Sequence, residues 1–169
     1  QTSRSSRIHE FDLAGRLVGG NETVPRYFYD AHNRRVAEIR GSEGDTYGRF
    51  TAYTIDGKFR ATWDGERNDW HIYLGHQLLA TRVETPGPVS WHPADMLGSP
   101  VAETDANRAL ANTTRYAPWG EPLNRQPDGP GYTGHLMDAP TGLIYMQQRY
   151  YDPVVGRFLS TDPDPVKTD

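Results

Sequence analysis

A short pattern recurs in the first third of the chain and restricts its fold more than any other feature. It reads aromatic, Asp, two variable residues, Gly or Asn, a basic residue and then an apolar one. Phe11-Asp12-Leu13-Ala14-Gly15-Arg16-Leu17 is the clearest copy. Tyr29-Asp30-Ala31-His32-Asn33-Arg34-Arg35-Val36 follows 18 residues later, and Tyr53-Thr54-Ile55-Asp56-Gly57-Lys58-Phe59 is a degenerate third copy. Asp opens a type I turn by accepting backbone N–H bonds, and Gly or Asn supplies the positive φ that returns the chain to the ladder. The aromatic before the turn and the apolar residue after it then pack on one face of a sheet. Repetition at a short period predicts an array of hairpins.

Composition points the same way. The 169 residues include 17 Gly and 13 Pro, too many turn-formers for long helices. Leu, Ile, Val and Phe make up only about 18% of the chain, which is low for a compact domain. Ten Tyr and four Trp offset that shortage, since each buries a large area and keeps a polar edge. The expectation is an all-β fold of antiparallel strands and hairpins whose core is built from aromatics.

Alternation marks half-buried strands at Arg35–Arg40 and Phe50–Ile55. Phe59–Trp63 and Trp70–Leu74 flank the polar turn 64–69 and predict a hairpin. Leu78–Glu84 is a further strand, stopped by Pro86-Gly87-Pro88. In Ala102–Arg115, Asp105-Ala106-Asn107-Arg108 reads as a turn between two strands rather than as part of a helix. The Pro- and Gly-rich stretch Pro118–Gly134 reads as a loop lying across the sheet, and Gly142–Tyr151 as one strand ended by Asp152-Pro153. Strand edges of such an array predict edge-to-edge self-association.

Several classes are excluded. The formal charge of −4 lacks the basic excess of a nucleic-acid surface. With no Cys, disulfides, thiol nucleophiles and Cys-rich zinc sites are ruled out. No apolar run is long enough to span a bilayer as a helix, and Gln1–Glu10 lacks the apolar core of a signal peptide. His9, His32, His71, His76, His92 and His135 show no helical ligand spacing, so neither a metal site nor another cofactor is expected. Ser99 after Gly98 lacks the second glycine of a nucleophile elbow and reads as a turn residue.

From Trp91 onward the order becomes more specific. It runs His92-Pro93-Ala94-Asp95-Met96-Leu97-Gly98-Ser99-Pro100, then Tyr116-Ala117-Pro118-Trp119-Gly120-Glu121, then Tyr132-Thr133-Gly134-His135. Asp138, Thr141-Gly142-Leu143-Ile144-Tyr145, Arg149-Tyr150-Tyr151-Asp152-Pro153, Gly156-Arg157-Phe158-Leu159-Ser160 and Asp162-Pro163 complete it. Together with the earlier turns, this series resembles the RHS and YD-repeat family of bacterial shell proteins that encase a toxin. Ala117 departs from the pattern, in which Asp often follows the Tyr, as does the doubled Asp162-Pro163-Asp164-Pro165.

The resemblance implies a YD-repeat β-spiral or cocoon closed by an irregular core-associated plug. It divides the chain into a hairpin array (1–90), a repeat-associated core (91–162) and a tail (163–169). It also implies a secreted or cell-surface bacterial protein whose partners are the remainder of its own shell and a C-terminal toxin. An alternative is an autoproteolytic aspartyl module that frees the toxin. Asp152, Asp162 and Asp164 are its candidate carboxylates, with Arg149 and Arg157 as orienting residues. The competing reading makes Asp152 a turn opener anchored by the arginines, and the family's downstream second motif does not occur in these residues. A further alternative is a carbohydrate-binding surface using Trp119 and Tyr116, stacked as aromatics stack on sugar rings. The 16 Arg against 2 Lys fit a structural role, since a guanidinium bridges strands while lying over Tyr faces.

Overall fold

The recurring turn is a closed unit of seven residues, and it occurs six times among the described residues rather than three. We describe a computed structural model covering residues 7–22, 24–42, 45–84 and 87–161. In each unit the second residue's N–H donates to the sixth residue's carbonyl, and the fifth residue's N–H donates to the second's. The pairs are Asp12/Arg16, Asp30/Arg34, Thr54/Lys58, Asp95/Ser99, Asp105/Ala109 and Ala117/Glu121, at 2.8–3.0 Å. The fifth residue always has positive φ: Gly15, Asn33, Gly57, Gly98, Arg108 and Gly120. Where Asp holds the second position, Oδ1 accepts from the fourth and sixth residues of its unit, so that Asp30 takes the N–H of His32 at 2.8 Å and of Arg34 at 2.9 Å. In the degenerate copy the opener is Thr54, whose Oγ1 accepts the Lys58 N–H.

These turns string the strands β1 (His9–Phe11), β2 (Leu17–Gly20), β3 (Arg26–Tyr29), β4 (Arg35–Ser42), β5 (Asp45–Tyr53), β6 (Phe59–Trp63), β7 (Asn68–Leu74), β8 (Gln77–Glu84), β9 (Val89–Trp91), β10 (Ala102–Thr104) and β11 (Leu110–Thr113). β1 and β2 form a separate hairpin, and β3 to β11 form one nine-stranded antiparallel sheet in sequence order. The sheet runs on without a break past position 91. The turn at 105–108 separates β10 from β11, as the sequence predicts.

A bulge follows five of the hairpin turns. Phe11 pairs with Leu17, Tyr29 with Arg35, Tyr53 with Phe59, Tyr73 with Leu78 and Thr104 with Leu110, each beside a register shift. One residue is left over in each, such as Val36 after Arg35. That extra residue puts Arg35 and Glu38 on the same face although they are three apart, where a regular strand would oppose them.

The remaining chain folds back over this sheet. β12 (Gly129–Pro130), β13 (Leu136–Asp138), β14 (Leu143–Met146), β15 (Arg149–Asp152) and β16 (Arg157–Phe158) form a five-stranded antiparallel sheet. A single turn of 3₁₀ helix at Tyr132–Gly134 precedes β13. The sequence reading of 142–151 as one strand is corrected here. The chain reverses at Gln147-Gln148, with Gln147 at φ 61 and Gln148 N–H bonded to the Met146 carbonyl. The turn carries neither Gly nor Asn, the residues that usually mark a left-handed position, so the reversal has no compositional signature.

The two sheets meet over a core of Leu17, Val24, Tyr27, Phe59, Leu136, Leu143, Tyr145 and Tyr150. The expectation of an aromatic core holds for the tyrosines and fails for the tryptophans. Trp63, Trp70, Trp91 and Trp119 all remain exposed, as do Phe28 and Phe50. The ladder explains the split: Phe28, Ala37, Phe50 and Trp63 stand opposite one another on the uncovered face.

Candidate functional site

Aligning the repeats places Arg35 in an apolar slot. The residue that closes the unit is Leu17 in the first copy, Phe59 in the third and Arg35 in the second, and all three are buried. A guanidinium therefore stands where its sister repeats insert hydrocarbon, at the junction of the two sheets.

The surroundings compensate. Three tyrosine rings surround the Arg35 guanidinium, with centroids at 5.0 Å for Tyr27, 4.8 Å for Tyr145 and 5.9 Å for Tyr150. Its Nη1 donates to the Tyr150 hydroxyl at 3.1 Å and reaches Asp138 Oδ1 at 3.4 Å and Glu38 Oε2 at 3.6 Å. Burial opposes the charge, but Tyr150, Asp138, Glu38 and Tyr27 outweigh it and raise the Arg35 pKa above the ordinary arginine value. Asp138 is fully buried and accepts from the Tyr27 hydroxyl at 2.5 Å and from Thr141 Oγ1.

The cluster extends toward solvent through Arg40 and Arg49. Arg40 Nη2 lies 2.6 Å from Glu38 Oε1, and Arg49 Nη1 lies 3.3 Å from the same atom. Arg40 grips Asp128 through two bonds of 2.7 and 3.0 Å, and Arg49 adds a third of 2.9 Å. Burial raises the Asp128 carboxyl pKa, but these guanidinium bonds and charges bring it down to about 2. Three guanidinium groups thus face three carboxylates, and Asp128 is pinned across the sheet; the stretch 118–134, expected as a loop, also contains β12 and the 3₁₀ turn. A buried pair of this kind adds little net stability over an apolar packing, but losing one partner strands a charge. Its value is in registering one sheet on the other.

A second lattice runs along the turn edge. Arg16 Nη1 donates to Asn33 Oδ1 in the next unit, and Arg34 Nη1 to the Thr54 carbonyl in the one after. In return, the Tyr29 hydroxyl donates to the Leu17 carbonyl at 2.5 Å and that of Tyr53 to the Arg35 carbonyl at 2.8 Å. The same arginines lie over the same tyrosines at 5.1 and 5.4 Å. The aromatic and basic positions of the repeat are the two halves of a clasp between successive turns.

Of the residues singled out from sequence, Arg149, Asp152, Arg157 and Trp119 come together around the β15–β16 hairpin. Asp152 Oδ1 accepts the N–H of Val154 at 2.8 Å and of Val155 at 3.4 Å, holding a turn. Arg149 lies 3.8 Å over the Phe158 ring, and exposed Arg157 stands opposite Asp152 in the ladder. Asp162 and Asp164 lie outside the described residues. Trp119 rests against the Asp152–Gly156 turn, its ring 3.3 Å from where a Gly156 side chain would begin. The Tyr116 hydroxyl donates to the Pro100 carbonyl at 3.3 Å, with its ring 5.8 Å from that of Tyr132. No group of three metal-ligating side chains occurs among the described residues. Ser99 is fully buried in its turn, where its Oγ accepts the Thr133 N–H at 3.0 Å.

Sequence reading missed the cluster at Glu38, Arg40, Arg49, Asp128 and Asp138. The missed signal is the alignment of Arg35 with Leu17 and Phe59, which an eight-residue reading of the second copy conceals.

Comparison with known proteins is consistent with this geometry. A family model described as Teneurin YD-shell matches residues 2–168. The tRNA nuclease WapA of Bacillus subtilis strain 168 is 28% identical over 146 residues, which are 86% of this chain and 6% of that protein. The probable deoxyribonuclease RhsA of Dickeya dadantii strain 3937 is 27% identical over 195 residues, covering 92% of this chain and 14% of that protein. Among solved structures, the TcdB2–TccC3 crystal structure superposes with a TM-score of 0.70 at 19% identity, over 94% of this chain and 9% of that one. The chain thus spans a small fraction of the length of each relative.

Proposed function

From the premise that this chain belongs to the Teneurin YD-shell family, we propose that it is a wall-and-plug segment of a bacterial toxin-encasing shell. The nine-stranded sheet is the wall, and the five-stranded sheet held on one of its faces is the plug. The observation that carries this reading is the Arg35 junction. A strip of hairpins alone gives a surface, whereas a charged, geometrically exacting lock between strip and plug gives a closure.

Its partners on this reading are the remaining hairpins of the same shell and a C-terminal toxin segment enclosed by it, and the parent protein is secreted or cell-surface. The nine-stranded sheet ends at β3 and β11, whose outer edges have no partner strand among the described residues. Such edges favour pairing with further strands. The nuclease activities named for WapA and RhsA belong to proteins of which this segment is a small part. For Asp152 we propose a turn-holding role, supported by the two backbone N–H groups its carboxylate accepts.

The test is protease protection in the full-length parent. The C-terminal segment resists trypsin in the native protein and becomes digestible when Arg35→Met unlocks the plug. A C-terminal segment cut equally fast in both proteins would overturn the reading.

A further inference from the structure

Between the turn edge of the wall and the plug lies a trench that neither the junction nor the turn lattice accounts for. Its deeper end is a cleft of about 220 Å³ walled by the rings of Tyr53, Phe59, Tyr73 and Tyr145. Lys58, His76 and His135 rim it, and no carboxylate contributes to its lining. It shares Tyr53, Gly57 and Gln147 with a more open depression of about 470 Å³, so the two adjoin, with the Gln147 side chain between them. Whole small-molecule ligands occupy sites of roughly 300–1,000 Å³. The enclosed end therefore suits one or two side chains, and the open end suits the chain that carries them.

Backbone strain marks the same place. Only four non-glycine residues among those described have positive φ, and two of them, Thr133 and Gln147, stand on this trench. Thr133, at φ 50 and ψ 28, is β-branched, and such residues rarely enter the left-handed region. It is held there by buried Ser99, whose Oγ accepts its N–H at 3.0 Å. Strain that surrounding structure enforces tends to mark functional surfaces. Gln147 spans the trench and donates from Nε2 to the Gly57 carbonyl at 3.3 Å. That is the bond a peptide N–H laid along the trench would make in its place.

The unused groups are polar and lack negative charge. The Tyr73 hydroxyl and the His135 ring have no hydrogen-bond partner among the described residues, although both line the cleft. Lys58 Nζ lies 3.0 Å from Asp56, an exposed carboxylate at the open end.

We propose that this trench binds an extended polypeptide segment, with an aromatic side chain in the ring-lined end and an adjacent carboxylate on Lys58 and His135. The site rests on the geometry of this chain alone. A negative result therefore removes it without touching the shell reading, which is tested by protease protection.

The experiment titrates the chain with fluorescent capped pentapeptides and reads anisotropy. A peptide centred on Glu-Phe binds, and its Gln-Phe and Glu-Ala counterparts each bind about fivefold or more weaker. Lys58→Gln and Tyr73→Ala each weaken the Glu-Phe peptide by a similar factor, while circular dichroism and the thermal midpoint stay as in the wild type. Equal affinity for all three peptides, or no binding at millimolar concentration, overturns the proposal. Unlabelled N-acetylphenylalanine serves as a competitor; displacement at the peptide's own concentration overturns the polypeptide assignment.

Discussion

The two faces of the nine-stranded sheet come from the same strands and have opposite chemistry. On the covered face Glu38 stands opposite Arg49, Thr62 lies between Thr51 and Asp69, and His71 is opposite Thr81 of β8, beside the buried Tyr27, Phe59 and Leu78. The bare face presents Phe28, Phe50, Trp63, Trp70, Ile72 and Trp91, each between 36% and 47% exposed. Phe50 and Trp63 stack there at 5.3 Å. In an ordinary antiparallel sheet the apolar face is the covered one. Here both faces carry apolar side chains: the covered one buries Tyr27, Phe59 and Leu78, and what distinguishes it is the set of ion pairs and tyrosine clasps laid among them.

The largest expected effect tests that claim at its centre. Arg35→Met leaves Glu38 and Asp138 buried beside a neutral side chain, and breaking a buried pair costs about 3–5 kcal/mol. Urea unfolding should show this as a lower midpoint with an unchanged slope. Replacing Arg35, Glu38 and Asp138 together by Leu, Gln and Asn should recover most of the loss, because the slot accepts Leu and Phe in the neighbouring repeats. If the single and the triple variant are equally destabilised, the covered face is held by something other than charge pairing, and the contrast between the faces loses its cause.

Much of the fold was legible because turns write themselves into sequence. Asp12, Gly15, Asp30 and Asn33 mark hairpins by requirements of hydrogen bonding and φ that few other residues meet. Three of the six units were not recognised as copies of the repeat, although 105–108 was read as a turn: Asp95 and Asp105 follow Ala94 and Thr104 instead of an aromatic, and Ala117 replaces the Asp opener. The Gln147 reversal had no marker at all. Period-two alternation located the strands, since both faces alternate, but it carried no information about which set lies inside. The junction itself was legible only through exact repeat alignment, because a charged residue in a core slot looks like a surface residue until its sisters are seen to be Leu17 and Phe59.

A medium-sized effect comes from pH, and its largest contribution sits on the covered face. His71 is buried against Phe59 at 4.5 Å, with Nδ1 3.1 Å from Thr81 Oγ1, which in turn lies 2.8 Å from His92 Nε2. Burial, with the charges of His92, Arg60 and Arg49 facing it, lowers the His71 pKa to about 3. The unfolded chain therefore binds this proton below about pH 6.5 and the folded chain does not, so stability falls as pH drops. By pH 5 the loss is about 2 kcal/mol. His92, lowered mainly by burial, acts in the same direction. Thermal midpoints taken between pH 7 and 5 should fall in the wild type and fall less in His71→Phe. An equal slope in both proteins would place the acid sensitivity elsewhere.

The smallest effect on stability is expected on the bare face, and it completes the contrast. Trp63 and Trp70 are 47% and 40% exposed, so Thr at each position gives up only part of a ring's burial, about 1–2 kcal/mol per site. Thr is β-branched and suits a strand. What the pair should change is solubility. A contiguous apolar face invites association between copies, and sedimentation of the double variant should show less self-association than the wild type at equal concentration. Association that persists unchanged would then come from the open edges at β3 and β11, which pair through backbone groups that no side-chain replacement on a face removes. A loss from either single replacement as large as that of Arg35→Met would mean that the tryptophans hold the wall together as firmly as the junction does.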